Sequence, residues 1–552
     1  MNLIGNINAI PFRRFRGGGG ATPPFPSIPG MIARYSALDL TNEQMKENPV
    51  WVDKTGNGHD LQMKNFAWGG MSGVGGYVDN FLSNDWSVDV NQCVALCHKI
   101  VIINKRASVQ LAKSIRNELE NTINITLKIT GLEANGSLFK VYDNVGSSHA
   151  QEYNKDGIYQ IDYTATEGAG RIFFYVPSGN MGQLENPITI EQLPLYPGAL
   201  VFDGVDDYGV CGNFPILTKE KGYTVVALRQ WDQDFLNTTL TGGLLSTRNY
   251  STGEGVAFEK IESSNKGYWN LGAGGIIDFA KSPFTWQTSK QYNNVGILKG
   301  DKNHGKPLCV GCGLSGGQQC GRFAIWELVF LDHDATEEEL TKIKDYFVKT
   351  YPWLFPDQAW TVTGKTNEDE DRATIANITG NGNDLVLSNF GFAEGSGYNE
   401  EGEYAGYLVT DGVDDKIISS IFKMGNDWTV IGDWELINTG KNDNAGIVKF
   451  DSIVIYNYNS MLINIKNGRN ILIPDQNTVN AICSDGRIYS KDWKESIYNE
   501  ETESTSKNFL TIGYSGNAYT KIAFKNLAIY PTVLSREDCI KAYNYLQTLK
   551  AK

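Results

Sequence analysis

A chain of 552 residues exceeds what one hydrophobic core organises, so three or four domains are expected. A net charge of −14, with no sustained Lys/Arg run beyond residue 16, argues against a nucleic-acid surface as the main business of the folded part, and no apolar stretch reaches the length of a membrane span. The 59 Gly, 27 Tyr, 24 Phe and 12 Trp fit many short strands joined by tight turns, so the expected class is all-β.

Residues 1–30 read as an arm. Phe12, Arg13, Arg14, Phe15 and Arg16 precede four glycines and then Pro23, Pro24, Pro26 and Pro29, a composition that buries no core. It suits either a disordered tail or an attachment peptide whose aromatic and arginine side chains dock on a partner while the Gly/Pro stretch supplies reach. The first residues lack a basic segment followed by an apolar core, so synthesis in a cytoplasm without a signal peptide is expected.

From Met31 the chain alternates strands and turns. Thr55-Gly-Asn-Gly-His-Asp-Leu61 is a hairpin-type turn, since Asn-Gly takes positive φ at small cost. A second set of strands with period-two patterning follows: Ile123–Thr130, Leu138–Tyr142, Gly157–Tyr163, Arg171–Val176 and Ile188–Glu191. Then come a strand ending in Val201-Phe-Asp-Gly-Val-Asp-Asp-Tyr208, another over Tyr223–Leu228, and an apolar strand over Phe323–Leu331. A helix is expected from Thr336 to Thr350, its Thr-Glu-Glu-Glu start suited to the helix dipole, before Pro352 and Pro356 break the chain.

The same motifs then return in the same order: Thr379-Gly-Asn-Gly-Asn-Asp-Leu385, Val409-Thr-Asp-Gly-Val-Asp-Asp-Lys416, Phe524–Ile529 and a helix over Arg536–Leu549. Asn-Phe follows the first motif in both copies (Asn65-Phe66, Asn389-Phe390). The chain therefore holds two copies of one domain, and about 116 additional residues separate the first two motifs in the first copy, the size of an inserted domain. The expected layout is an arm over 1–30, domain 1 over 31–80 plus 198–356, an inserted β-sandwich over 81–197, and domain 2 over 357–552.

These motifs resemble the laminin-G-like, concanavalin A-like jelly roll of bacterial surface proteins and tailed-phage structural proteins, and the insert resembles small jelly-roll carbohydrate-binding modules. The resemblance implies two concanavalin A-like β-sandwich domains, the first carrying a smaller one, each ending in a short helix. Some members of the fold hold calcium in rim loops, which makes Asp203, Asp206, Asp207, Asp411, Asp414 and Asp415 the candidate oxygen ligands. The simpler reading is that Asp203 and Asp411 fix their turns by bonding nearby backbone amides. No cofactor is required.

Enzymes of the wider fold are glucanases with paired carboxylates on one strand, and that pattern is absent: Glu254, Glu259 and Glu435 are scattered, and five His have no matching Ser or Cys partner. A noncatalytic protein is expected. Eight cysteines make no dense disulfide framework. Cys309, Cys312 and Cys320 near His304, and Cys93 and Cys97 beside His98, meet zinc spacing only partway, and buried free thiols are the expectation. Trp68, Trp231, Trp286, Trp434 and Trp493 are the candidate sugar platforms, most of them expected in cores.

The layout of a short Arg/Gly/Pro arm followed by tandem jelly rolls resembles accessory virion proteins of Bacteroides phages, including the crAss-like group. The implied function is a noncatalytic virion structural protein of head- or tail-fibre type, attached to capsid or tail proteins through its arm, with jelly rolls displayed for assembly contacts or host-surface glycans. A glycan-binding lectin or adhesin and a glycoside hydrolase are the alternatives. A homo-oligomer is compatible with this; membrane and nucleic-acid partners are not expected.

Overall fold

Strand Arg322–Leu331 organises the first repeat because it is apolar on both faces. Phe323, Ile325, Leu328 and Phe330 enter the core of the sandwich, whereas Ala324, Trp326, Val329 and Leu331 face a second apolar cluster outside it. The alternation slips once. Opposite this strand, Leu228 faces Glu327 and Arg229 faces Ile325, so Trp326 is the extra residue of a β-bulge. Lys525 is the extra residue at the same place in the second repeat, where Asp433 faces Asn526 and Trp434 faces Phe524.

The computed structural model describes residues 23–551 except 89–92, 105–108, 116–121, 146–149, 178–182, 216, 218–221, 237, 248–256, 261–265, 270–275, 279–283, 289–306, 315–317, 403, 421, 424, 438–445, 451–452, 458–460, 466–468, 474–478, 498–506, 509 and 516–517. The chain is nearly all β, in three β-sandwiches. In the first repeat one sheet runs Phe284–Thr288, Thr224–Trp231, Arg322–Leu331, Leu200–Asp203, Gly73–Val74, with Met31–Ser36 also on the central strand. In the second, Val479–Cys483, Thr429–Leu436, Ile522–Tyr530, Leu408–Val409 and Gly397–Tyr398 follow the same order, with Gln358–Thr361 in the place of Met31–Ser36. The facing sheets also match, from Val50–Trp51 through Leu61–Lys64, Tyr208–Cys211 and Leu308–Val310 in one, and from Thr374–Ile375 through Leu385–Ser388, Lys416–Ser419 and Leu510–Ile512 in the other. The repeat read from short motifs is thus a repeat of whole jelly-roll sandwiches.

The insert is two five-stranded sheets over its own core. Strand Thr122–Thr130 shows why it folds: Ile123, Ile125, Leu127 and Ile129 alternate inward against Phe139, Phe174 and Trp86. Its neck is a pair of adjacent chain segments. Gly75 N–H donates to Ala199 O (2.8 Å) and Tyr196 N–H to Gly75 O (2.8 Å). In the second repeat the equivalent bonds run from Asn399 N–H to Tyr407 O (2.9 Å) and from Gly406 N–H to Asn399 O (2.7 Å). Residues 76–198 therefore stand where the second repeat has residues 400–406.

Helix Glu337–Thr350 lies where its sequence predicts, begins with a full capping box between Thr336 and Glu339, and buries Leu340, Ile343, Tyr346 and Phe347. Helix Arg536–Leu546 is capped by Ser535 and ends three residues before the predicted boundary. Both helices feed the apolar cluster outside the sandwiches, which gathers Trp326 and Phe347 of the first repeat, Ile158 of the insert and Trp493, Tyr545 and Leu549 of the second. Tyr545 meets the Trp326 ring edge-on (centroids 6.1 Å) and donates to Gln230 Oε1 (3.0 Å). The Pro-marked connection is buried in the same cluster through Trp353 and Leu354, with Tyr530 donating to Trp353 O (3.0 Å).

Part of the stretch read as an arm is packed against the first repeat. Ile28 is buried and Phe25 packs edge-on against Tyr346 (4.8 Å) and under the Arg34 guanidinium (4.1 Å), because two apolar side chains among the prolines find an apolar helix face. Residues 12–16 lie outside the described residues. Among those described, no helix is long and apolar enough to cross a membrane.

Candidate functional site

The recurring Asp-Gly-Val-Asp-Asp turns show what their carboxylates do. Gly204 and Gly412 take φ of +78° and +76°, the left-handed region that glycine enters without strain. Asp203 Oδ1 accepts from Val205 N–H (2.8 Å) and Asp411 Oδ1 from Val413 N–H (2.7 Å), closing each turn on itself. Asp207 is fully buried. Its Oδ2 accepts from Asp203 N–H (3.0 Å) and its Oδ1 from the Ser72 hydroxyl (3.0 Å), which in turn accepts from Ala67 N–H (2.8 Å). Asp415, Asp411, Ser396 and Gly391 repeat the arrangement at 2.7, 3.1 and 2.8 Å.

The Asn-Phe pairs belong to the same staple. Asn65 and Asn389 sit at positive φ (67° and 71°) and donate through Nδ2 to Asp206 O (3.1 Å) and Asp414 O (3.0 Å). The serines escaped the sequence reading, although each stands at one fixed distance after its Asn-Phe pair. The upstream Thr-Gly-Asn-Gly loops are fixed by one side chain each: Asp53 accepts from Arg34 N–H (3.1 Å) and Thr55 N–H (3.0 Å), and Asn377 Oδ1 from Ala359 N–H (3.2 Å) and Thr379 N–H (3.0 Å).

Each aspartate trio places one carboxylate oxygen per residue within 4.8 Å of the others. Both oxygens of Asp207 and of Asp415 are already engaged, and a calcium ion takes six to eight oxygen ligands. The donor set fits a hydrogen-bonded turn better than a calcium shell.

Burial, and then repulsion from Asp203, push the Asp207 carboxyl up to about 7; burial pushes Asp415 up to about 6. A carboxyl raised in the folded state stabilises fully below the unfolded value near 4 and loses that contribution as pH rises through the folded value. Asp207→Asn keeps an oxygen for Asp203 N–H and an amide for Ser72, so it mimics the protonated acid. It is expected to match the parent at pH ~3 and to exceed it at pH ~7.5 by up to about 4 kcal/mol. Urea midpoints at the two pH values check this, and a variant weakened equally at both would sink the assignment.

Beside the second turn, Glu394, Asn399, Glu401, Tyr404 and Lys521 rim a shallow open depression of about 230 Å³. The neck of the insert occupies the corresponding place in the first repeat. The tryptophans offer no platform among the described side chains: Trp68, Trp231, Trp434 and Trp493 are buried, and the side chain of Trp286 lies outside them. Glu435 pairs with Lys491 (3.4 Å) on the second repeat, Glu259 is buried in the first, and Glu254 lies outside the described residues.

The cysteine expectation is corrected at one place. Cys312 and Cys320 face each other on antiparallel strands and form a disulfide, because the register of those strands places them opposite one another. Cys309 is a buried thiol beside them, and burial pushes its pKa up to about 12. In this form the trio offers no set of metal thiolates; His304 lies outside the described residues.

No protein-family model matches the chain, and no curated protein matches it. Among solved structures it is similar to a Trypanosoma rangeli sialidase in complex with sialic acid, at 8% identity over 86% of each chain with a TM-score of 0.27. It is also similar to the receptor binding domain of botulinum neurotoxin D, at 11% identity over 62% of this chain and 89% of that one with a TM-score of 0.23. At such scores the likeness carries no inference about activity or ligand, and the jelly-roll assignment rests on the chain's own sheets.

Proposed function

We propose that this chain is a noncatalytic structural protein of a phage particle, of head- or tail-fibre type, tethered by its N-terminal arm and displaying its β-sandwiches for assembly contacts or host-surface glycans. The observation that carries this reading is the continuity of one apolar cluster from the root of the arm to the C-terminal helix. Phe25 and Ile28 pack into the same cluster as Trp326, Ile158 and Tyr545, so a partner holding the arm would hold all three sandwiches. The acidic turns fit this role, since their buried carboxylates are spent on backbone amides and serines.

The test is capture of virion proteins by the full chain and by a chain lacking residues 1–22, a cut that spares Phe25 and Ile28. Loss of a specific capsid or tail partner on truncation is expected, with melting unchanged. Equal capture by both chains would overturn the arm's role. A glycan-binding lectin or adhesin is the second reading, favoured by the depression rimmed by Glu394, Asn399, Tyr404 and Lys521, whose carboxylate, amide, hydroxyl and ammonium groups suit sugar hydroxyls. Saturable binding on a glycan array that Tyr404→Ala abolishes would establish it, and reducing-sugar release from β-glucans would instead point to a hydrolase.

A further inference from the structure

Three side chains of metal-ligating type converge where the insert leaves its host. Glu43 lies in the first turn of helix Asn42–Glu47 of the first repeat, and Cys97 and His98 precede strand Lys99–Asn104 of the insert. One ligand atom from each lies within 4.8 Å of the others, and Cys97 Sγ is 3.3 Å from His98 Nδ1. Sulfur and nitrogen bound tetrahedrally to zinc at their usual bond lengths stand about 3.5 Å apart, so this pair already has the spacing of a ligand edge.

The surroundings hold these groups in place. Cys97 O accepts from Phe81 N–H (2.8 Å) and His98 O from Gln192 N–H (2.8 Å), which fixes the backbone of both. The imidazole stacks on Tyr77 with centroids 4.8 Å apart and planes 17° apart. Asn42 is locked to Val74 by two hydrogen bonds (3.1 and 2.7 Å) and directs its remaining amide hydrogen at Cys97 Sγ (3.9 Å), the kind of outer donor that steadies a thiolate. Cys97 is buried, whereas Glu43 and His98 are half-exposed, so an ion has a way in. A nucleophilic Cys-His pair is the competing reading. Cys97 is buried and its Cβ lies against Gly69, where an added Cβ would come 2.9 Å away, a crowding that disfavours approach of an acyl substrate.

We propose that Glu43, Cys97 and His98 bind a zinc-class divalent transition metal that pins the insert to the first repeat. A thiolate and an imidazole with one carboxylate select such an ion over calcium or magnesium, and three protein ligands leave a fourth position for water. Binding exchanges the S–H bond for a metal–sulfur bond and releases the thiol proton to solvent.

Titration of the metal-free full chain with cobalt(II), its Cys312–Cys320 disulfide left intact and Cys97 a free thiol, tests the site. One equivalent is expected to bind with a thiolate-to-cobalt charge-transfer band and the visible bands of a tetrahedral ion, and zinc is expected to bleach both. Cys97→Ser should remove the charge-transfer band, and His98→Ala and Glu43→Gln should each weaken binding by at least about tenfold. Absence of cobalt uptake by the parent, or a charge-transfer band that survives in Cys97→Ser, would overturn the proposal. Glu43→Gln alters a half-exposed side chain at a helix start, so it reads the same site if the cysteine variant misfolds.

Discussion

Arg34→Met is expected to lower the stability of the first repeat by about 3–5 kcal/mol. The guanidinium donates to both oxygens of Glu327 (3.1 and 3.0 Å), whose side chain is fully buried, and to the Tyr346 hydroxyl (2.9 Å). Without it, the carboxylate keeps the Tyr351 hydroxyl (2.8 Å) but no cation. Burial already pushes the Glu327 carboxyl upward against the pull of Arg34, and removing Arg34 raises it further. The penalty should therefore be largest at neutral pH and shrink as pH falls toward about 4, where the carboxyl is protonated folded or unfolded. Denaturant melts at pH 4 and pH 7.5 measure both effects, and an equal loss at the two values would contradict the account.

The second repeat has already made the compensating change. Its strand pairing puts Ala359 where the first repeat has Arg34 and Asn526 where it has Glu327. Asn526 is fully buried and its amide has no hydrogen-bond partner among the described residues. A neutral group without its partner costs about 1–3 kcal/mol, less than a stranded carboxylate. The double variant Arg34→Ala with Glu327→Asn is accordingly expected to recover a large part of what Arg34→Met loses.

Trp326→Ala is the second large effect, about 3–5 kcal/mol. The bulge turns this indole out of its own sandwich, where it donates to Pro197 O (2.8 Å) and packs between Tyr196 and Tyr545. The loss should appear as separation of the two repeats, a single melting transition giving way to two, with earlier proteolysis of the connection over residues 351–357. Lys525→Ala, at the equivalent bulge, should change stability by less than about 1 kcal/mol, since among the described residues Lys525 makes a long ion pair with Asp433 (4.0 Å), a contact over the Tyr407 ring (5.5 Å) and a through-space attraction to Asp162. Equal effects of the two substitutions would mean that Trp326 does not join the repeats.

The sequence disclosed the sandwiches wherever a local rule acts alone. Asp-Gly turns, the Thr-Glu-Glu-Glu helix start and the alternation over Ile123–Thr130 each depend on neighbours a few residues away, and each appears as expected. The unequal spacing of two motifs sufficed to find the insert. Features set by distant packing were not legible. Phe25 and Ile28 look like part of a loose arm until the helix that receives them is in place. The Cys312–Cys320 bridge depends on a return in register that Gly-rich neighbours do not specify, and Glu43 meets Cys97 and His98 across a domain junction. Tryptophans are likewise indistinguishable as core or platform until sheets pack on both sides.

The neck at Gly75 and Ala199 has a consequence for how such chains grow. Its two strands lie side by side and are bonded to each other just as the ends of the short turn at Asn399 and Tyr407 are. A passenger whose own ends are adjacent can be spliced into that turn without disturbing the strands that carry it. The second repeat thus keeps a vacant port of the same design, and the first shows it filled.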